Sequence, residues 1–257
     1  MKNEIAAFIT GFVYDYSKNC GIQSRWKNPL TAVADAADPS FNDLKGLISP
    51  SHALPHDIIP GARSVLVYFL PFEERLTRSN HDGRFASREW AVAYEETNRL
   101  IGDINQALHD YLGPRGVLSS LLPATHNFDR KKLVSDWSHR HVAYIAGLGK
   151  FGWNNMLITD KGCCGRIGSV VLDLDLEPTA FQEGEYCLFR YNGTCQKCVE
   201  RCVNEALHPE DFDRFKCHEM CKENDLRNPD LGLTEVCGKC VVAIPCSHRN
   251  PVSPKIL

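Results

Sequence analysis

No stretch of the chain approaches the roughly 18 consecutive apolar residues that a membrane-spanning helix needs, so no membrane partner is expected. The opening Met1-Lys2-Asn3-Glu4-Ile5 lacks the apolar core and small-residue cleavage site of a secretory leader. With both absent, the expected location is cytoplasmic. There is no internal repeat, no low-complexity segment and no long basic run, Arg130-Lys131-Lys132 being the longest. Lys and Arg number 29 against 32 Asp and Glu, a formal net charge of −3. A general nucleic-acid binder normally carries a basic excess, so nucleic acid is an unlikely partner on this reading. The 257 residues, 43% hydrophobic and 24% charged, suit one sizeable soluble domain plus a small one.

What is abundant is cysteine. Of twelve, nine lie between Cys187 and Cys246; Cys20 and the pair Cys163-Cys164 lie outside. In a reducing compartment such density points to metal, not disulfides. The nine are Cys187, Cys195, Cys198, Cys202, Cys217, Cys221, Cys237, Cys240 and Cys246. Two Cys-x-x-Cys pairs sit about forty residues apart, each followed by a further cysteine, Cys202 or Cys246. A 4Fe–4S cube takes four thiolates, and short Cys-x-x-Cys loops supply adjacent corners. In two-cluster ferredoxins the last cysteine of each run crosses to the other cluster. On that pattern one cluster takes Cys187, Cys195, Cys198 and Cys246, and the other Cys202, Cys217, Cys237 and Cys240. Cys221 is then the spare, although the sequence alone does not separate it from Cys217.

The ferredoxin run Cys-x-x-Cys-x-x-Cys-x-x-x-Cys-Pro is not matched throughout. Asn192 stands at its first cysteine, Val203 at its proline, and Cys246 comes two residues late, after Ile244-Pro245. Zinc is the competing reading, because Cys195, Cys198, Cys237 and Cys240 suffice for one tetrahedral site. A single zinc leaves five cysteines of the segment without a purpose.

Before the cysteines the pattern is mixed. Ile5, Phe8, Ile9, Phe12, Val13 and Tyr16 mark an amphipathic helix. Pro29 to Pro60 reads as surface chain with short helical pieces. Ser64 to Leu70 is a continuous apolar run, suited to a strand buried on both faces and ended by Pro71. Trp90, Ala93, Tyr94, Thr97, Leu100, Ile101, Ile104, Leu108 and Leu112 form one stripe, which predicts a helix over 86–112, stopped by Gly113-Pro114. Leu172, Leu174 and Leu176 alternate with acids, as in a half-exposed strand over 167–177. A boundary near Pro178 to Gly184 gives two domains, 1–180 and 181–257.

Three stretches resemble the epoxyqueuosine reductase family and its shorter relatives. They are Leu54 to Tyr68, Trp137 to Gly152 continuing through Asn154-Asn155-Met156-Leu157-Ile158, and the tail around Thr194-Cys-Gln-Lys-Cys-Val-Glu-Arg-Cys202. The resemblance implies an α+β chain: a nitroreductase-like mixed α/β sandwich, similar to that of reductive dehalogenases, followed by a small ferredoxin-like domain with two 4Fe–4S clusters. It further implies an oxidoreductase in which the clusters feed base-off cobalamin. The corrinoid would lie against His141, Gly147, Gly149, Gly152, Asn154 and Asn155, and Asp136 would be the proton donor. Asp136 also suits a helix cap. A low-potential donor such as ferredoxin or flavodoxin would supply electrons. The chain is shorter than the queuosine enzymes and has no repeat-like extension for gripping tRNA, so a small-molecule substrate is expected.

Other readings stand beside this one. An electron-transfer protein without its own substrate, or a flavin-binding reductase with clusters, shares the same tail. Gly147-x-Gly149-x-x-Gly152 also spells a dinucleotide fingerprint, but Trp153-Asn-Asn follows it and no helix start. His139 and His141, flanking Arg140, suit either a polar cavity or an alternating segment half in solvent. Cys163-Cys164 either approaches the cavity or makes a tight turn. His126-Asn-Phe-Asp129 either binds substrate or turns the chain.

Overall fold

The computed structural model describes residues 1–19 and 21–252; Cys20 and residues 253–257 lie outside them. The elements begin with helix α1 (Lys2–Tyr16), strand β1 (Leu30–Asp35), helices α2 (Ser40–Leu47) and α3 (Pro55–Ile58), and strand β2 (Ser64–Pro71). Helices α4 (Glu74–Ser79) and α5 (Arg88–Leu112) follow, then the hairpin β3 (His126–Asp129) and β4 (Val134–Trp137). Helix α6 (His139–Ile145), the short strands β5 (Lys150–Phe151) and β6 (Leu157–Ile158), and β7 (Gly165–Leu172) complete the first part. The cysteine-rich part holds α7 (Leu188–Asn192), α8 (Lys197–Glu200) and α9 (Arg214–Leu226).

The main sheet is antiparallel in the order β1-β2-β7, with β2 in the centre. All of β2 is buried, because helices cover both faces of the sheet. Side chains alternate across a strand, so Leu66, Tyr68 and Leu70 enter one core with α1 and α5. Val65, Val67 and Phe69 enter the other, with Phe41, Leu44, Trp137 and Val142. Helix α5 keeps the expected stripe, with Leu100, Ile101, Ile104 and Leu108 wholly enclosed, each contributing about 1.5–3 kcal/mol. Ser87 caps it, its Oγ accepting from the Trp90 amide at 3.1 Å.

Two expectations fail. Residues 30–35 form a strand and not surface chain, since pairing with β2 buries Ala32, Val33 and Ala34. The last sheet strand is Gly165–Leu172, buried from Gly168 onward, while the alternating Leu and acid segment beyond it is not strand. Its acids serve distant partners: Asp173 accepts from the Leu118 amide at 2.8 Å, and Asp175 pairs with Arg63 at 2.7 Å.

The tail closes over the α1 and α5 side of the sheet. Cys187, Cys198, Leu207, Val242 and Ile244 share a core with Leu100 and Ile104. Among the described residues no helix is long and apolar enough to cross a membrane.

Candidate metal centre

The cysteines gather in two pockets. The first holds about 320 Å³ of empty space and is lined by Cys187, Cys195, Cys198 and Cys246, with Gly152, Trp153 and Asn154 from the glycine loop. Cys187 sits at the start of α7 and Cys198 within α8, so two short helices turn these sulfurs inward. The second pocket, about 980 Å³, is lined by Cys202, Cys217, Cys221, Cys237 and Cys240, and by Cys163. Cys217 and Cys221 lie one turn apart on α9. Gly238, in the Cys237–Cys240 loop, has φ +72°, and a Cβ there would meet the Trp90 ring at 2.4 Å. Only glycine lets this loop lie on α5.

The four cysteines of the zinc reading divide between the pockets, Cys195 and Cys198 in one and Cys237 and Cys240 in the other. Among the described residues no three His, Cys, Asp or Glu gather as a single-ion site. A cube asks for something else, each thiolate bonding a different iron.

Burial sets the thiol chemistry. It pushes Cys198 up to about 12, Cys237 up to about 11, and Cys240 well above its usual value. Thiols so enclosed ionise only against a cation. Cys217 is held below its usual value by a hydrogen bond from Cys221, aided by the nearby Arg140. Cys202 Sγ accepts from the Ala206 amide at 3.2 Å. This donor set fits cubane iron–sulfur clusters.

Sequence reasoning missed the cations here. Lys239, only 1% exposed, donates from Nζ to the carbonyls of Asn80 at 3.0 Å and Asp82 at 2.7 Å. Arg166 on β7 lies over the Tyr94 ring at 4.3 Å, its Nε buried without a partner. Lys239 stands inside a Cys-x-x-Cys loop, which was a signal; Arg166 gave none.

Of the six loop residues expected to lie against a corrinoid, Gly147 and Gly149 pack on the chain's own backbone. A Cβ on Gly149 would meet the Ile158 carbonyl oxygen at 2.2 Å, and one on Gly147 the Ala180 carbonyl at 3.3 Å. These glycines are therefore filled by the chain's own backbone. Gly152 and Asn154 line the first cysteine pocket. The Asn155 carbonyl accepts from Arg140 at 2.5 Å. His141 shares a hydrogen bond between Nδ1 and Ser138 Oγ at 2.8 Å and packs tilted against Phe151, the ring centroids 4.7 Å apart.

The histidines lie on helix α6 and not on an alternating segment. His139 is a core group, bonded to Ser169 Oγ and the Pro123 carbonyl. Cys163 and Cys164 donate from their amides to the carbonyls of Cys246 and Ser247, which ties β7 to the tail. Asp136 caps no helix. It sits in β4, where Oδ1 meets His126 Nδ1 at 2.6 Å and Oδ2 accepts from Asn127 at 2.9 Å. Residues 126–129 are thus a strand, two of whose side chains clasp Asp136.

No protein-family model and no curated protein matches the chain. Solved structures do. Epoxyqueuosine reductase from Bacillus subtilis, with its catalytic aspartate loop swung out of the active site, matches with TM-score 0.55 and 18% identity, over 94% of this chain and 66% of that one. The enzyme from Streptococcus thermophilus gives 0.52 and 12%, over 91% and 65%. An epoxyqueuosine reductase with an epoxyqueuosine-modified tRNA-Tyr stem loop gives 0.55 and 18%, over 94% and 66%. The chain therefore has the fold of epoxyqueuosine reductases and spans about two thirds of their length.

The tRNA-bound neighbour overturns the expectation of a small-molecule substrate with nucleic acid unlikely. A whole-chain charge averages over the surface and does not report the local field. Arg130, Lys131 and Lys132 are exposed together on the turn between β3 and β4.

Proposed function

We propose that the chain is an iron–sulfur oxidoreductase that holds two 4Fe–4S clusters and passes single electrons toward a substrate carried on nucleic acid. One observation carries this reading: four cysteines line one pocket and six the other, the second set being Cys202, Cys217, Cys237 and Cys240 with two more thiols, Cys163 and Cys221. Residues 1–180 are the nitroreductase-like, substrate-facing part and residues 181–257 the ferredoxin-like part. Cys187, Cys195, Cys198 and Cys246 would hold one cluster, and Cys202, Cys217, Cys237 and Cys240 the other. Such clusters supply one-electron transfer at potentials set by charge, hydrogen bonds and solvent exposure. A ferredoxin or flavodoxin is the expected donor.

The chain's own contribution is enclosure and a proton. Asp136 is the proton donor in this reading, supported by the catalytic aspartate loop of the Bacillus subtilis enzyme. His126 and Asn127 hold its carboxyl in place. The basic turn of the same hairpin offers Arg130, Lys131 and Lys132 to a phosphate backbone. Protein prepared without oxygen tests the proposal by metal analysis. About eight irons and eight acid-labile sulfides per chain are expected, whereas zinc without sulfide ends it.

A second reading adds base-off cobalamin, and the apolar flank of the second pocket favours it. Phe72, Trp90, Tyr94 and Met156 line that pocket besides the thiols, a flat, apolar surface on which a macrocycle would rest beside the cluster. When bound, cobalamin supplies a cobalt centre that accepts electrons singly. Equilibrium dialysis against cobalamin decides: stoichiometric retention is expected, and none removes this reading while leaving the clusters.

A further inference from the structure

The second pocket is walled by cations that no carboxylate neutralises. Lys239 spends its ammonium on two backbone carbonyls, both in the turn after α4. Arg166 faces the same pocket from β7, its Nε sealed and unpartnered. Arg140, on α6, stands behind the lining: it donates to the Asn155 carbonyl and, at 3.7 Å, to Sδ of the lining residue Met156, and its charge acts on Cys217 and Cys240. Among the described residues none of the three is ion-paired. Glu235, the acid on this wall, is taken up by Arg130 at 2.9 Å and His218 at 3.5 Å. The first pocket differs, since no charged side chain stands among the described residues that line it.

A cation withdrawn from water without a counter-charge is costly. A cube bound by four thiolates is an anion, and reduction adds one more negative charge. Cations on one wall and none on the other must therefore separate two otherwise similar sites.

Taking the pockets as cluster sites, we infer that Lys239, Arg166 and Arg140 make the second pocket the higher-potential one, so that an electron entering at the first comes to rest at the second. The first pocket adjoins the exposed stretch Tyr191 to Thr194, where a donor protein has access. In the transfer a low-potential ferredoxin or flavodoxin loses one electron and the first site gains it. The first site then returns to its oxidised state as the second gains the same electron. No bond forms or breaks and no proton is required. Lys239 and Arg166 are positioning charges, acting on the substrate only through the potential of the second site.

The test is an anaerobic redox titration of the full chain followed by electron paramagnetic resonance, with Arg166→Met, Lys239→Met and Lys239→Arg. Two one-electron waves are expected. Removing Cys195 (Cys195→Ala) should abolish the lower wave and so identify it with the first pocket. Arg166→Met and Lys239→Met should each lower the upper wave alone, by at least about tenfold in its redox equilibrium, or about 59 mV for a one-electron couple. Lys239→Arg should leave it in place. Lys239 also ties the cysteine loop to the α4 turn, so if Lys239→Met does not fold, Arg166→Met on the facing strand decides alone. Shifts in the lower wave, in both waves equally or in neither overturn the inference. A chain holding neither iron nor acid-labile sulfide overturns the cluster reading beneath it, an outcome distinct from two intact clusters with unmoved waves.

Discussion

Asn154 lines the first cysteine pocket while its Nδ2 donates to the carbonyl of Cys240, in the wall of the second, at 2.9 Å. The side chain is 4% exposed, and its Oδ1 accepts from the Met156 amide at 3.2 Å. One amide thus ties the glycine loop to both pockets.

Asn154→Ala leaves the Cys240 carbonyl without this donor in a buried setting. The expected loss is about 1–3 kcal/mol, read from denaturant unfolding of the anaerobic protein. An unchanged midpoint would mean that the bond contributes nothing.

Cys217 and Cys221 compete for one corner. In the proposed ligand set Cys217→Ala drops the chain from about eight irons to about four, while Cys221→Ala keeps about eight. Iron and sulfide counts on the two variants check this, and the reverse pattern would exchange their roles.

His139 makes stability depend on pH. Burial lowers its pKa from 6.5 to about 4, so the folded chain keeps the ring neutral where the unfolded chain takes up a proton. Stability is therefore complete above pH 6.5 and falls as pH drops from 6.5 toward 4, by about 3 kcal/mol for this group. His141, lowered to about 4 mainly by burial, acts in the same direction. Urea unfolding at pH 7 and pH 5 should show a smaller pH effect in His139→Gln than in the native chain. Equal effects in both would remove His139 as the cause.

Asp136→Asn keeps the hairpin hydrogen-bonded but removes the acid. Under the proposed function, with an epoxyqueuosine-modified stem loop as the trial substrate, single-turnover reduction should slow by at least about 100-fold, with iron content unchanged. A variant that turns over at the native rate would reduce Asp136 to a clasp between β3 and β4.

Long, strongly periodic elements were legible in the sequence. The α5 stripe and the β2 run carry their burial in their own residues, because a periodic apolar pattern has one folded use. Strand β1 was not legible: Leu30-Thr-Ala-Val-Ala-Asp is rich in small residues, and its burial depends on pairing with β2, more than thirty residues later. The alternation after Leu172 misled in the opposite way, since Asp173 and Asp175 answer to Leu118 and Arg63, whose nearness no local pattern announces. The glycine loop was legible only as a demand for space. A glycine records only that a Cβ is excluded, and what excludes it at Gly149 is the Ile158 carbonyl.

By itself the sequence determined the inventory of thiols and their local grouping, because a Cys-x-x-Cys loop keeps its two sulfurs together in any compact fold. The tertiary structure alone decided what surrounds them. Arg166 and Lys239 lie far apart along the chain, and they line one pocket, with the charge of Arg140 acting on its cysteines from behind, only because α6, β7 and the tail converge there. Coulomb interactions and desolvation act over a few ångströms of space whatever the distance in sequence, so the electrical difference between the pockets belongs to the fold.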